Sequence, residues 1–160
     1  MNDALQISDT IPSFELPDQN GEVIPSTYLA SQYTVLYFYP KDNTPGCTTE
    51  AGDFSALLPE FTTLGVQVYG ISPDSVESHK KFSESKELRV SLLSDHDALV
   101  AKMFGVWQLK KNYGKEYMGL VRSTFLIAPN GTVVERWSKV RVKGHAEAVL
   151  AAVRARVEKK

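Results

Sequence analysis

An α/β chain built around a central mixed sheet is predicted by three observations. Strand-like and helix-like segments alternate through the middle of the sequence. Two Asn-Gly pairs, Asn20-Gly21 and Asn130-Gly131, stand inside hairpin-like surroundings near either end. The helical segments place their apolar residues at helical spacing. No internal repeat, low-complexity tract or domain boundary interrupts the 160 residues. They read as a single domain, 1–160, long enough to bury a full core.

Taken in order, Ser13-Phe14-Glu15-Leu16 and Glu22-Val23-Ile24 alternate apolar and polar around Asp18-Gln19-Asn20-Gly21 and form an N-terminal β-hairpin. Pro25 to Leu29 is a short helical turn, and Thr34 to Tyr39 an apolar run expected as a buried strand. A helix starts at Pro45 and carries Phe54, Leu57, Leu58 and Phe61 before Gly65. Gly52 and Pro59 inside it predict a weak or kinked helix. Gly65 to Ile71 is a strand, Ser72-Pro73-Asp74-Ser75 a turn and helix start, and Val76 to Lys86 an exposed amphipathic helix. Leu92-Leu93 is a short strand. Ser94-Asp95 caps a helix through Phe104 that Gly105 ends. Ser123 to Ala128 and Thr132 to Trp137 flank Pro129-Asn130-Gly131 as a second hairpin. A last helix has Val149, Leu150 and Val153 on one face and runs out into Glu158-Lys159-Lys160. Trp107 and Tyr113 to Met118 fall in a lysine-rich stretch expected as ordinary loop, with a flexible lid as the other reading.

Composition narrows the function classes. A formal net charge of −1 creates no global field for nucleic acid or an acidic membrane. No apolar run is long enough to span a bilayer. No basic residue precedes Lys41, which removes the n-region of a secretory signal and an Arg-rich transit peptide. A single cysteine makes neither an internal disulfide nor a zinc site, so a reduced, cytoplasmic setting and a free thiol are expected.

That cysteine is the centre of the chemistry. In Tyr39-Pro40-Lys41-Asp42-Asn43-Thr44-Pro45-Gly46-Cys47, Thr44 is a good N-cap and Pro45 falls at N1, where a missing N–H costs nothing. Cys47 then lands at N3, among unpaired backbone N–H groups at the positive end of the helix dipole. Both favour a thiolate, so the pKa of this thiol is expected to be lowered. Thr44, three residues earlier, shares the face of the sulfur, where its hydroxyl can donate to the thiolate or to an arriving oxygen. Pro40 has no N–H and can wall off the sulfur.

Pro40-x-x-x-Thr44-x-x-Cys47 within YPKDNTPGCTTEA resembles the active-site loop of the peroxiredoxins. The branch it is most similar to is the bacterioferritin-comigratory-protein or Q-type one. The likeness extends over nearly the whole chain, through SLLSDHDALVAKMFGVW, RSTFLIAPNGTVVERW and VKGHAEAVL. It implies a thioredoxin-like fold with the N-terminal hairpin as an addition, and a thiol-dependent peroxidase without cofactor or metal. Cys47 would attack a hydroperoxide and pass through a sulfenic acid. Arg122, which opens the strand Ser123 to Ile127, matches the family's strand-start arginine and is the cation expected beside Cys47. The implied substrates are hydrogen peroxide and organic hydroperoxides, the implied reductant a thioredoxin- or glutaredoxin-type thiol, and the implied state a monomer. Relatives carry a resolving cysteine either five residues after the peroxidatic one, where this chain has Gly52, or in the next helix, where it has Ser83. Ser83 reads as a native serine or as an engineered replacement. Either way the chain forms no intramolecular disulfide, and the oxidised sulfur is resolved by an external thiol or stalls as sulfenic acid or an intermolecular disulfide.

Blander readings stand beside these. A lone cysteine is often a buried hydrophobe, Thr44 a plain cap, Pro40 a strand end, and Arg122 a partner for a surface carboxylate. His79, His96 and His145 share no metal-ligand spacing and are expected to be exposed or capping. Arg136, Lys139, Arg141 and Lys143 alternate as on a solvated edge strand rather than a nucleic-acid patch. Two other function classes fit the fold. A thiol–disulfide oxidoreductase lacks its second cysteine here, and a binding or holdase module would not need Thr44 or Arg122.

Overall fold

In a computed structural model, residues 4–157 are described, so the Glu158-Lys159-Lys160 end lies outside the described residues. The elements in chain order are β1 (Glu15–Pro17), β2 (Val23–Pro25), α1 (Ser26–Leu29), β3 (Thr34–Phe38), α2 (Pro45–Thr63) and β4 (Gln67–Ser72). There follow α3 (Val76–Ser85), β5 (Ser91–Ser94), a 3-10 turn (His96–Ala98), α4 (Leu99–Met103), β6 (Trp107–Asn112) and β7 (Lys115–Leu120). The chain closes with β8 (Ser123–Ile127), β9 (Val133–Trp137) and α5 (His145–Val157).

The main sheet has the order β5-β4-β3-β8-β9. β3 runs parallel to β4 and antiparallel to β8, and β4 runs parallel to β5. All five residues of β3 are buried because both faces of the sheet are covered. Alternation along β3, continued into the next residue, sorts the side chains: Val35, Tyr37 and Tyr39 face Phe54 and Phe61 of α2, Phe82 of α3 and Val149 and Val153 of α5. Leu36 and Phe38 face Leu29 of α1, Val100 and Phe104 around α4, and Leu16 of the N-terminal hairpin. The expected mixed sheet flanked by helices, with an added hairpin, is the observed architecture. Gly70 on β4 is required by close approach, since a Cβ there would stand 2.6 Å from the Tyr37 ring.

Four expectations change. α2 runs as one helix from Pro45 to Thr63 despite Gly52 and Pro59. Its buried face, with Ala51, Phe54 and Phe61, supplies tertiary packing that outweighs local propensity. The expected helix from Ser94 to Phe104 is broken, because Asp97 and Ala98 both have positive φ (62° and 55°). Asp95 instead accepts from the N–H groups of Val100 and Ala101 and caps α4 across the break. The stretch around Tyr113 to Met118 is neither loop nor lid but a hairpin, with Asn112 paired to Lys115. Tyr113 and Gly114, at φ 53° and 77°, make its two-residue turn, and Leu109, Met118 and Tyr113 stay exposed because this ribbon has no covering layer. Of the four basic residues, only Arg136 lies on the edge strand β9, and Lys139, Arg141 and Lys143 follow it in the connection to α5. No described helix is long and apolar enough to cross a membrane.

Candidate active site

The local sequence places Cys47 as expected. Thr44 has the extended backbone of an N-cap (φ −87°, ψ 155°), Pro45 opens α2, and Cys47 is its third residue. The sulfur is buried, 1% exposed, against the aromatic side of β3. The Thr44 hydroxyl does not cap the helix. It donates to the Lys41 carbonyl at 2.9 Å. Its only hydrogen is therefore committed, and what the hydroxyl has left to offer is lone pairs that accept. Pro40 follows β3 as an exposed residue.

Arg122 reaches Cys47 through strand register. Phe38, the last residue of β3, pairs with Ser123, the first of β8, so Arg122 stands beside the loop that leads to α2. Its Nη2 donates to Cys47 Sγ at 3.2 Å. Its Nη1 donates to Glu50 Oε1 in a short, charge-assisted bond. Gly46 leaves room for this fork, because a Cβ there would lie 3.3 Å from Arg122 Nη2. Burial alone would lower the Arg122 pKa, but Glu50 and Cys47 together hold it above its ordinary value.

Glu50 is the residue that sequence reasoning missed. One turn after Cys47 and one turn before Phe54, it lies on the stripe that faces the core and is 1% exposed. Among the described residues its Oε2 has no hydrogen-bond partner. Burial pushes its pKa up to about 7, with Arg122 pulling the other way. A carboxylate at helical spacing from the cysteine, in line with apolar residues, was the available signal.

The histidines depart from expectation. His96 is exposed, but His79 and His145 are buried because each finds partners inside. His145 Nε2 lies 2.8 Å from Thr124 Oγ1, and burial, then the Arg122 charge, lowers its pKa to about 4. His79 Nδ1 is 2.7 Å from Asp42 Oδ2, and its Nε2 is 2.9 Å from the Leu93 carbonyl. Asp42, Asp74 and His79 have metal-ligand chemistry, yet their donor atoms are engaged with one another and with Ser72, Ser78 and Leu93. Ser83 is half-buried on α3, and Gly52 lies on α2 with open space where a side chain would project.

Fold and site together define a thioredoxin-like α/β protein that holds one buried cysteine at a helix start beside an arginine. The AhpC/TSA family pattern matches residues 7–136. Peroxiredoxin Bcp of Bacillus subtilis is 46% identical, over 97% of this chain and 99% of that protein. A solved structure of Xanthomonas campestris bacterioferritin comigratory protein, described for its alkyl peroxide reduction activity, superposes with a TM-score of 0.87. Its identity is 44%, covering 93% of this chain and 99% of the other. A cysteine-to-serine variant of Xylella fastidiosa PrxQ superposes with a TM-score of 0.90 at 40% identity, covering 95% and 97% of the two chains. The chain belongs to the AhpC/TSA family and, within it, to the Bcp/PrxQ peroxiredoxins.

Proposed function

We propose that this protein is a thiol-dependent peroxidase in which Cys47 is the attacking sulfur and Arg122, Thr44 and Pro40 complete the site. One observation carries the assignment of roles: the guanidinium 3.2 Å from the sulfur at the third residue of a helix. In the first step the Cys47 thiolate attacks the terminal oxygen of a hydroperoxide and the O–O bond breaks. The alkoxide or hydroxide that leaves takes a proton, so that thiolate, hydroperoxide and one proton become sulfenic acid and an alcohol or water. Negative charge spreads from sulfur over both oxygens in the transition state. Arg122, already charged and already oriented by Glu50, faces that charge without reorganisation. Thr44, its hydrogen given to Lys41, accepts from the peroxide O–H and fixes the angle of approach. Pro40 closes the outer side without a competing donor.

The second half needs an outside thiol, because this chain contains one cysteine and has Gly52 and Ser83 at the positions where relatives resolve the sulfur. A thiol attacks the sulfenic sulfur, giving a mixed disulfide and water, and a second thiol releases Cys47 and leaves as the disulfide. The family expectation supplies the rest of the reading: hydrogen peroxide and organic hydroperoxides as substrates and a thioredoxin- or glutaredoxin-type donor. It also supplies a cytoplasmic monomer acting through residues 1–160 as one domain.

The test is to mix reduced protein with one equivalent of hydrogen peroxide, following tryptophan fluorescence and then trapping sulfenic acid for intact mass. Oxidation at Cys47 far faster than that of free cysteine is the expected result. A rate no faster than free cysteine overturns the proposal.

A further inference from the structure

The loop between β3 and α2 carries the reacting groups but has no regular structure of its own. Pro40, Lys41 and Asn43 are exposed, and Asp42 is the buried residue among them. Its carboxylate accepts from three side chains: Tyr39 Oη at 2.6 Å, Ser78 Oγ at 2.7 Å and His79 Nδ1 at 2.7 Å. Its backbone N–H donates to Asp74 Oδ2 at 2.7 Å. The peptide unit between Lys41 and Asp42 is thus held at both ends, since its carbonyl takes the Thr44 hydroxyl.

The other end of the joint is α3. This ten-residue helix buries two side chains, His79 and Phe82; Val76, Ser78 and Ser83 are half-buried, and its other residues are polar and exposed. His79 is fully buried and bridges two elements, with Nδ1 on Asp42 and Nε2 on the Leu93 carbonyl of β5. A carbonyl only accepts, so Nε2 carries a hydrogen. Nδ1 faces a carboxylate that already accepts from two hydroxyls, so a second proton lies between Nδ1 and Oδ2. Hydrogen bonds from His79, Tyr39 and Ser78 outweigh burial and hold Asp42 below the ordinary carboxylate range.

We infer that the Asp42–His79 pair is a positioning element for the peroxide step, clamping the loop to α3 so that the Lys41 carbonyl sets the Thr44 hydroxyl and the start of the Cys47 helix. This rests on the reading of Cys47 as the peroxidatic sulfur. Neither residue touches the reacting atoms. The pair acts through the Lys41–Asp42 peptide, and loss of His79 frees the loop and α3 together. Peroxide attack needs the arranged site, whereas reduction of the sulfenic acid needs only an accessible sulfur. The two half-reactions therefore respond differently.

The experiment measures both half-reactions on the full chain. Reduced wild type, His79→Leu and Asp42→Asn are each mixed with one equivalent of hydrogen peroxide. The sulfenic acids are then mixed with dithiothreitol, which returns the thiol, water and its own cyclic disulfide. Hydrogen exchange is followed over residues 39–48 and 76–85. His79→Leu is expected to slow the peroxide step by about tenfold or more, as misplacement of a reacting group does. The dithiothreitol step should be unchanged or faster, and exchange should rise in both segments at once. Asp42→Asn keeps the clamp without charge, because its amide can donate to Nδ1 of a neutral His79, and should slow the peroxide step less than His79→Leu. A folded His79→Leu whose peroxide step stays within about threefold of wild type overturns the inference, well below the cost of misplacement. So does equal slowing of both half-reactions, or loosening confined to α3. If His79→Leu does not fold, His79→Gln replaces it under the same criteria, since it can keep the Leu93 bond while leaving Asp42 without its partner. A Cys47→Ser protein that still consumes peroxide would instead sink the peroxidase reading and leave the clamp as a structural element only.

Discussion

Two side-chain pairs, each with a buried carboxyl group, flank the start of α2, and they are built to opposite specifications. Around Asp42 and His79 every side-chain nitrogen and oxygen has a partner: Tyr39, Ser78 and the Leu93 carbonyl complete the set. Around Arg122 and Glu50 the set is incomplete. Among the described residues Glu50 Oε2 has no partner and the Tyr37 hydroxyl on the same side of the sheet has none, and one arm of Arg122 is spent on a sulfur atom. A saturated pair holds its neighbours in place, and taking one member away strands the other. An unsaturated pair keeps interaction capacity in reserve for charge that develops during a reaction. On the proposed reading, the contrast separates a scaffold pair that is closed off from solvent from a site pair whose arginine side chain stays 17% exposed.

The contrast is sharpest in stability. His79→Leu strands a buried carboxylate and is expected to cost about 3–5 kcal/mol in urea denaturation at neutral pH. A loss below about 1 kcal/mol would remove the distinction between the pairs, since that is the range of exposed ion pairs. Arg122→Met should act on rate instead. Removing a preorganised donor from the transition-state charge lowers the rate constant for hydrogen peroxide by roughly 10²–10³, read by stopped-flow fluorescence. Its stability cost should be the smaller of the two, because Glu50, with a pKa already at about 7, can take up a proton.

A third measurement addresses the reserve itself. Glu50 has a folded pKa of about 7 against an ordinary value of 4.5, so between those values the native state holds a proton that the unfolded chain has lost. Stability from this group is present below pH ~4.5 and is lost as pH rises through ~7. Glu50→Gln should remove that decline. Wild type is expected to lose about 3 kcal/mol relative to the variant between pH 4.5 and 8, by urea denaturation across the range. Parallel stability profiles for the two proteins would show the carboxyl to be ionised throughout. The smallest effect is at Thr44. Thr44→Val removes the accepting oxygen and should slow peroxide attack about tenfold, while Thr44→Ser keeps most of the rate. A Thr44→Val rate as fast as that of Thr44→Ser would remove the role of the oxygen, and a slower Thr44→Ser would assign the effect to the methyl group.

Legibility differed within a single turn of helix. Thr44, Pro45 and Cys47 could be placed at N-cap, N1 and N3 because capping rules act over a few consecutive residues. Glu50 belongs to the same helix but was passed over, because its role depends on which face of α2 meets β3 and on an arginine far along the chain. The Thr44 hydroxyl was expected to serve the helix or the sulfur, and its bond to the Lys41 carbonyl needs the loop's actual path. His79 and His145 read as surface residues because no ligand spacing connects them to anything. Their partners, Asp42 and Thr124, arrive from other elements of the fold. The ribbon of β6 and β7 was read as loop because its strands lack an apolar face, the usual sign of a strand that packs on a core.

What the sequence determined by itself was local: the order of the main-sheet strands and the helices α2, α3 and α5, the alternation that buries β3 on both faces, and a lone cysteine at the third residue of a helix. Each depends on contacts or dihedral preferances within a few residues. What only the tertiary structure decided was company. The register of Phe38 with Ser123 brings Arg122 to the sulfur, the packing of α2 on β3 buries Glu50 beside it, and the docking of α3 closes His79 over Asp42. Charge and burial become chemistry only when strand pairing sets distances between residues far apart in the chain, and no local rule carries that information.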